Sequence, residues 1–458
     1  MTAAPKVEQE VEPERWQKVL FSLAAWKRRA IFVLAAAATG TVAYSFSLLD
    51  RSSVSFRDFL LRGEPLFGFR IDAAWGTAIA MALAVGGIWL AMTLRDRFFP
   101  GTQGTGIPQT MASLEIDAAD PLRHKMLSWR IAIGKALLLA IGIYAGATIG
   151  REGPSVHVGA CLLYLCAAWG RFPSWAVQRG LILTGGAAGI AAAFNAPVAG
   201  AIFAIEEIGR SFEKRSASLI ILGVAVACTT CWVYLGDYVF YGRLDPALAS
   251  AEQWLVILPV AAVGGLLGGA FSRAVVASTR WVNQTLRRHR VLLPLGLGAG
   301  LALLGFASGG LSYGSGYAEA FDILQGHGEM PGFYFLTKAA GNFISLISGI
   351  PGGLFDPSFA VGAAMGQLAA PLFGDVDPRA ISMLAMVSYF TGVVRSPITA
   401  VVILLEMTTA REMAMPLFLA AVIAYEASRL VARKPIYEAL AEIFLSDLRQ
   451  AEGAHAKS

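Results

Sequence analysis

Gly150-Arg151-Glu152-Gly153-Pro154-Ser155-Val156-His157-Val158-Gly159-Ala160 returns in outline as Gly353-Leu354-Phe355-Asp356-Pro357-Ser358-Phe359-Ala360-Val361-Gly362-Ala363. In both stretches a glycine stands four residues before a proline, and Ser, Val, Gly and Ala follow at matching places. Proline is tolerated in the first turn of a helix, where its missing N–H would have been unpaired anyway. The glycines before it free the backbone and leave amides uncovered. Each stretch therefore predicts the start of a helix that carries unpaired N–H groups and the positive end of the helix dipole, a combination suited to anions. Gly104-Thr105-Gly106-Ile107-Pro108 is a third pentapeptide of the same kind.

The surroundings place these helix starts in a membrane. Of 458 residues, 56% are hydrophobic and 15% charged, against about 25% charged in an ordinary soluble domain. Apolar stretches recur from end to end: Ile31–Leu49, Trp75–Leu94, Ile131–Ile149, Leu255–Phe271, Leu293–Ala307 and Met415–Tyr425. Several approach the ~20 residues that cross hydrocarbon. Others are shorter or broken by glycine and proline, which is tolerated where the backbone is buried in protein or lines a cavity. The chain reads as an all-α polytopic membrane protein.

Charge orients it. Residues 1–29 are polar, contain acids and close with Lys27-Arg28-Arg29, unlike a signal peptide. Arg429, Arg433 and Lys434 follow the last apolar stretch, and Arg287-Arg288-His289-Arg290 reads as a further inside loop. Basic clusters favour the cytoplasmic side, so both termini are expected there. The net charge of +5 follows from this topology, and nucleic acid is not an expected partner. With 24 residues after Lys434, no folded C-terminal regulatory domain is expected.

A second landmark keeps register with the first. Pro197-Val198-x-Gly200 leads to Glu206, and Pro397-Ile398-x-Ala400 leads to Glu406, a spacing of 200 residues against 203 for Pro154 and Pro357. Two homologous halves are therefore expected, residues 30–236 and 254–447, joined by 237–253 and flanked by segments 1–29 and 448–458. Many transporters place their binding site where discontinuous helices of two such repeats meet.

The repeat also isolates differences. Glu206 matches Glu406, so that carboxylate is expected to be structural, capping or pairing at a helix end. Glu152 aligns with Phe355, and Glu207 with Met407. An ionisable group in a membrane helix costs roughly 2.5–3.5 kcal/mol on insertion scales. A carboxylate present in one half alone is thus the better functional candidate. Glu152 lies among backbone donors suited to an anion, is itself an anion, and would fill that place until protonated or displaced. The plainer role is a first-turn Glu that satisfies the helix dipole beside Arg151.

These residues, with Lys434-Pro435-Ile436-Tyr437, Phe194-Asn195-Ala196-Pro197 and Glu206-Glu207, resemble in order and kind the CLC family of chloride channels and chloride/proton antiporters, in its prokaryotic form. The likeness runs from Gly104 to Tyr437. It implies a CLC-type fold of two inverted repeats with broken and tilted helices, a homodimer with a pore in each subunit, and a place in the cell inner membrane. It further implies that Thr105 and Tyr437 supply hydroxyl donors to a dehydrated anion. The amides of Leu354 and Phe355 would complete this central position, and those of Arg151, Glu152, Gly153 and Asp356 would line an outer one. Neutral donors suit a site that must release its ion. Glu152 resembles the external gate and proton acceptor, and Glu207 the internal proton-transfer glutamate. The implied partners are chloride, with bromide and nitrate as candidates, protons and the lipid bilayer; no cofactor, metal or enzymatic activity is implied.

Two positions depart from the family pattern. Thr105 stands where serine is common and keeps the hydroxyl. Asp356 places a carboxylate beside the anion path, and an N-cap turned back on its own helix is the expected resolution. Lys135 is expected either to raise the local positive potential or to bind a structural partner. His157, Cys161, Cys166, Cys228 and Cys231 read as packing or satisfied core residues, because neither HExxH nor a second cysteine pair accompanies them. The alternatives to antiport are a passive chloride channel on the same fold and an intramembrane metal-dependent hydrolase.

Overall fold

The computed structural model of the chain describes residues 22–116, 120–172, 175–209 and 214–455. The expected membrane segment 30–236, parts of the N-terminal segment and the end of the C-terminal tail include positions outside these ranges.

The described residues fold mainly into helices, and the longest connection between them among the described residues is 236–252. In the first half these are α1 (Leu23–Arg62), α2 (Ala73–Phe98), α3 (Ile107–Glu115), α4 (Leu122–Met126), α5 (Trp129–Tyr144), α6 (Glu152–Gly170), α7 (Trp175–Phe194), α8 (Pro197–Phe203) and α9 (Lys214–Leu235). The second half contains α10 (Ile257–Arg288), α11 (Leu292–Ala307), α12 (Tyr317–Gln325), α13 (Tyr334–Ile347), α14 (Phe355–Ala369), α15 (Pro378–Val394), α16 (Pro397–Thr408) and α17 (Ala414–Val431). The C-terminal helix is α18 (Ile436–His455).

Among the described residues, seven segments are long and apolar enough to cross a bilayer, namely those in α1, α2, α4–α5, α7, α9, α10 and α17. At 1.5 Å per residue, α1 is ~60 Å long, twice the thickness of the hydrocarbon, so it must tilt or project. Local signals set the ends. Asp72 caps α2 by accepting from the Ala74 amide at 2.9 Å, and Asp377 caps α15 through the Arg379 amide at 2.8 Å.

Helices that are apolar all round form the centre, as their composition requires. Every residue of α15 from Ala380 to Val394 is buried, as is α14 from Phe355 to Ala364. The pair α6–α7 packs together in one half and α14–α15 in the other, while α10 lies across α15 and α17.

The apolar stretch Ile131–Ile149 is not one helix. It stops being helical at Tyr144, and the chain then runs to Gly150. There Gly150 and Gly353 form an antiparallel bridge, with N–H to carbonyl distances of 2.8 and 2.6 Å. This bridge ties the start of α6 to the start of α14. The expected loop at Arg287–Arg290 is shorter than the sequence suggested: α10 runs through Arg288, and α11 begins at Leu292.

Candidate functional site

The two bridged helix starts leave amides uncovered. The first backbone bond of α6 runs from the Ser155 amide to the Arg151 carbonyl, and the first of α14 from Ser358 to Leu354, each at 3.0 Å. The amides of Glu152, Gly153, Phe355 and Asp356 thus precede the helical ladder, and prolines 154 and 357 have none to satisfy.

Glu152 occupies the space between these starts. It is fully buried, and its Oε1 accepts from the Arg151 amide at 3.1 Å. Its Oε2 lies over the bridge: a Cβ at Gly150 or Gly353 would come within 2.2 Å of that oxygen. Only glycine at both positions leaves this seat open. At Gly153 a Cβ would lie 2.7 Å from the Thr105 carbonyl, so the start of α6 also touches the loop that leads into α3.

Thr105 is buried, with its hydroxyl 3.4 Å from the Ile107 amide. The helix that carries Tyr437, α18, packs on α3. Tyr437 is fully buried, and its hydroxyl has no partner among the described residues. It lies within electrostatic reach of both Glu207 and Glu152. Its ring is 6.4 Å from that of Phe355, which is further enclosed by Phe194, Phe203 and Phe390 at 6.0, 5.8 and 4.7 Å. This aromatic packing fixes the first turn of α14. Leu354, Phe355, Arg151, Gly153, Thr105, Tyr437 and Glu152 therefore converge from four elements.

Arg151 lies 5.7 Å over the ring of Phe240 and reaches the Ala193 carbonyl at 3.5 Å. Asp356 overturns the expected cap. The helix begins at Phe355 with Leu354 as N-cap, and no side chain caps it. Asp356 is already the second helical residue, so its carboxyl cannot turn back onto the amides it would have capped. Instead it is buried and meets the side chain of Glu152.

The glutamates present at matching places in both halves are helix caps, and they exchange across the halves. Glu206 accepts from the Ile398 and Thr399 amides at 3.1 and 2.7 Å, and from the Thr399 hydroxyl at 2.6 Å. Glu406 accepts from the Val198 and Ala199 amides at 3.2 and 2.7 Å. Each carboxylate thus holds the proline-led start of the partner half's helix, α16 or α8, where anions are favoured.

Glu207 is placed differently. It is buried in a five-residue π-helical segment, Ala204–Ile208, a geometry frequent at functional sites. Ser396 donates to its Oε2. The aligned positions in the other half are Met407 and Ala196, both apolar, so this polar pair exists in one half only.

Lys135 is buried, and its ammonium donates to the Thr102 and Gly104 carbonyls, each at 2.7 Å. It therefore braces the loop before Thr105. Lys338, missed in the sequence, repeats the arrangement 203 residues later, with the Tyr313 carbonyl at 3.0 Å. Gly314-Ser315-Gly316 is the counterpart of Gly104-Thr105-Gly106, a match hidden because it lacks the proline. His157 points Nε2 at the Met126 carbonyl at 2.9 Å, as a structural histidine does.

Such a constellation, in facing helix starts of an all-helical membrane protein, defines a class of integral membrane protein built from two halves around a buried polar centre. Residues 86–429 match the family model described as voltage gated chloride channel, and the chain belongs to that family. It is 28% identical over 366 residues to a Salmonella paratyphi A protein named H(+)/Cl(-) exchange transporter ClcA, covering 75% of this chain and 74% of that one. The same name is carried by a Yersinia pestis protein, 28% identical over 398 residues and covering 82% and 80%. Among solved structures, a slow cyanobacterial Cl-/H+ antiporter superposes with a TM-score of 0.76 at 23% identity, covering 92% of this chain and 98% of that one. A CLC-type fluoride/proton antiporter gives 0.73 at 21% identity over 89% and 97%. These likenesses show the CLC fold.

Proposed function

We propose that the protein is a secondary active antiporter that moves chloride across the inner membrane in exchange for protons, with Glu152 as a gate that competes with the anion. One observation carries this reading: a buried carboxylate already occupies the space between two helix starts whose first amides lie outside their own helical ladders, and it accepts from one of the amides there, that of Arg151. An anion in solution and the Glu152 carboxylate suit the same place, so each excludes the other.

In this mechanism chloride rests against the hydroxyls of Thr105 and Tyr437 and the amides of Leu354 and Phe355. The amides of Arg151, Glu152, Gly153 and Asp356 form the outer position. When Glu152 binds a proton it loses the charge that holds it on the Arg151 amide, and it leaves. Glu207 supplies protons from the cytoplasmic side, with Ser396 orienting its carboxyl. Tyr437 lies within electrostatic reach of both glutamates, and the anion and proton routes part near it. The name shared by the relatives, H(+)/Cl(-) exchange transporter, supports the antiport reading. Two inverted halves bounded as expected from sequence, a homodimer and cytoplasmic termini complete the proposal.

The test compares two variants in liposomes. Glu152→Gln keeps anion flux and loses proton coupling, while Glu207→Gln loses proton flux and keeps chloride flux. Proton coupling that survives either substitution removes that residue from the mechanism.

A further inference from the structure

The first turn of α14 carries a carboxylate that the antiport scheme does not use. Asp356 is 1% exposed and Glu152 is 0% exposed. Among the described residues, no N–H or O–H donor reaches Oε2 of Glu152 or either oxygen of Asp356. What meets them is each other, side chain to side chain.

The charged groups around them do not balance two ionised acids. Arg151 is the nearby cation, and Asp50 adds a third carboxyl. Asp50 is itself engaged by Ser315, Arg57 and Arg151. Tyr241 and Tyr317 face Asp356 from the segment before α10 and from α12. On the helices packed against α14, Glu319 stands 3.8 Å from Arg57, and Lys338 turns its ammonium on the Tyr313 carbonyl. Two buried carboxylates that meet side chain to side chain cannot both stay ionised, and a shared proton removes the conflict. A carboxylic acid kept neutral in this way becomes an O–H donor.

We propose that Asp356 holds a proton and donates it as a hydrogen bond to whichever anion occupies the outer position: the Glu152 carboxylate in this structure, and halide once Glu152 has left. The inference rests on the anion pathway proposed above. It turns the residue most at odds with an anion path into one of its donors. It also links halide binding to a proton that Glu152 does not carry. The O–H bond of Asp356 is kept in both states, and only the acceptor changes.

The test uses full-length protein in detergent with the gate removed by Glu152→Ala, so that halide rather than glutamate fills the outer position. Bromide is titrated by calorimetry across a pH series, and proton uptake on binding is recorded in weakly buffered solution. With Asp356 intact, affinity falls about tenfold per pH unit on the alkaline limb, and one proton is taken up per halide there. Adding Asp356→Asn supplies a donor that does not titrate, so affinity persists and that proton uptake disappears. Adding Asp356→Ala weakens binding and leaves no such uptake. Bromide binding that is independent of pH in Glu152→Ala overturns the proposal while leaving the anion pathway standing. A pH dependence that survives Asp356→Asn overturns it too. Thermal melting and gel filtration confirm that each variant is folded, and the absence of bromide binding in all three folded variants overturns the pathway and the proposal together.

Discussion

Removing Glu206 and Glu406 one at a time separates the exchanged caps by an amount the geometry sets. Glu206 accepts three hydrogen bonds, two from backbone amides and one from the Thr399 hydroxyl. Glu406 accepts two, both from amides. A helix cap is worth about 0.5–2 kcal/mol, and each buried donor left unpaired costs about 1–3 kcal/mol. Both carboxylates are half-buried, so the lower part of these ranges applies. Glu206→Ala should then destabilise the protein by ~2–4 kcal/mol, and Glu406→Ala by ~1–3 kcal/mol. Thr399→Val should account for ~1 kcal/mol of the difference. Reversible unfolding in mixed detergent, followed by tryptophan fluorescence, reads these values directly. Equal stability of Glu206→Ala and the unaltered protein, or a larger cost for Glu406→Ala, would show that these carboxylates do not hold the helix starts in this way.

Three further outcomes follow from the site. Gly353→Ala places a methyl group 2.2 Å from Oε2 of Glu152, so Glu152 should lose its seat and, on the proposed gating role, chloride flux at alkaline pH should rise ~10-fold, or ~1.4 kcal/mol; a flux assay showing no such rise would contradict this. Lys135→Met and Lys338→Met should each cost ~2–4 kcal/mol, because each leaves buried carbonyls without their cation. Only Lys135→Met should also weaken chloride binding by calorimetry, since Lys135 braces the loop of Thr105. Ser396→Ala should slow proton transport ~10-fold with chloride flux per protein retained, and a parallel fall in both fluxes would deny Ser396 an orienting role.

The two halves, and the structural role of the glutamate present in both, were legible because a repeat compares one chain with itself. Glu206 and Glu406 recur at one spacing, and in the folded chain they perform one task on opposite helices. Glu207 stood out for the converse reason, and Ser396 opposite Ala196 carried the same signal without being noticed. Asp356 was misread because a carboxylate facing an anion path would repel anions, which made a cap turned back on its own helix attractive, in keeping with the bias of a pre-proline residue away from helical conformation. Tertiary packing of Phe355 among four aromatic rings starts α14 two residues before the proline and overrides that preference. The glycine pair that seats Glu152 could not be read locally. It depends on a bridge between glycines 203 residues apart, which exists only once α6 and α14 face each other.

Chloride and protons are proposed to exchange through one site. Purified protein in liposomes, with a chloride gradient imposed and the membrane potential clamped, tests it when external pH is recorded. Protons should be driven uphill by chloride, and that movement should be lost in Glu152→Gln. Brisk chloride flux with no coupled proton movement would contradict it and make the protein a passive channel.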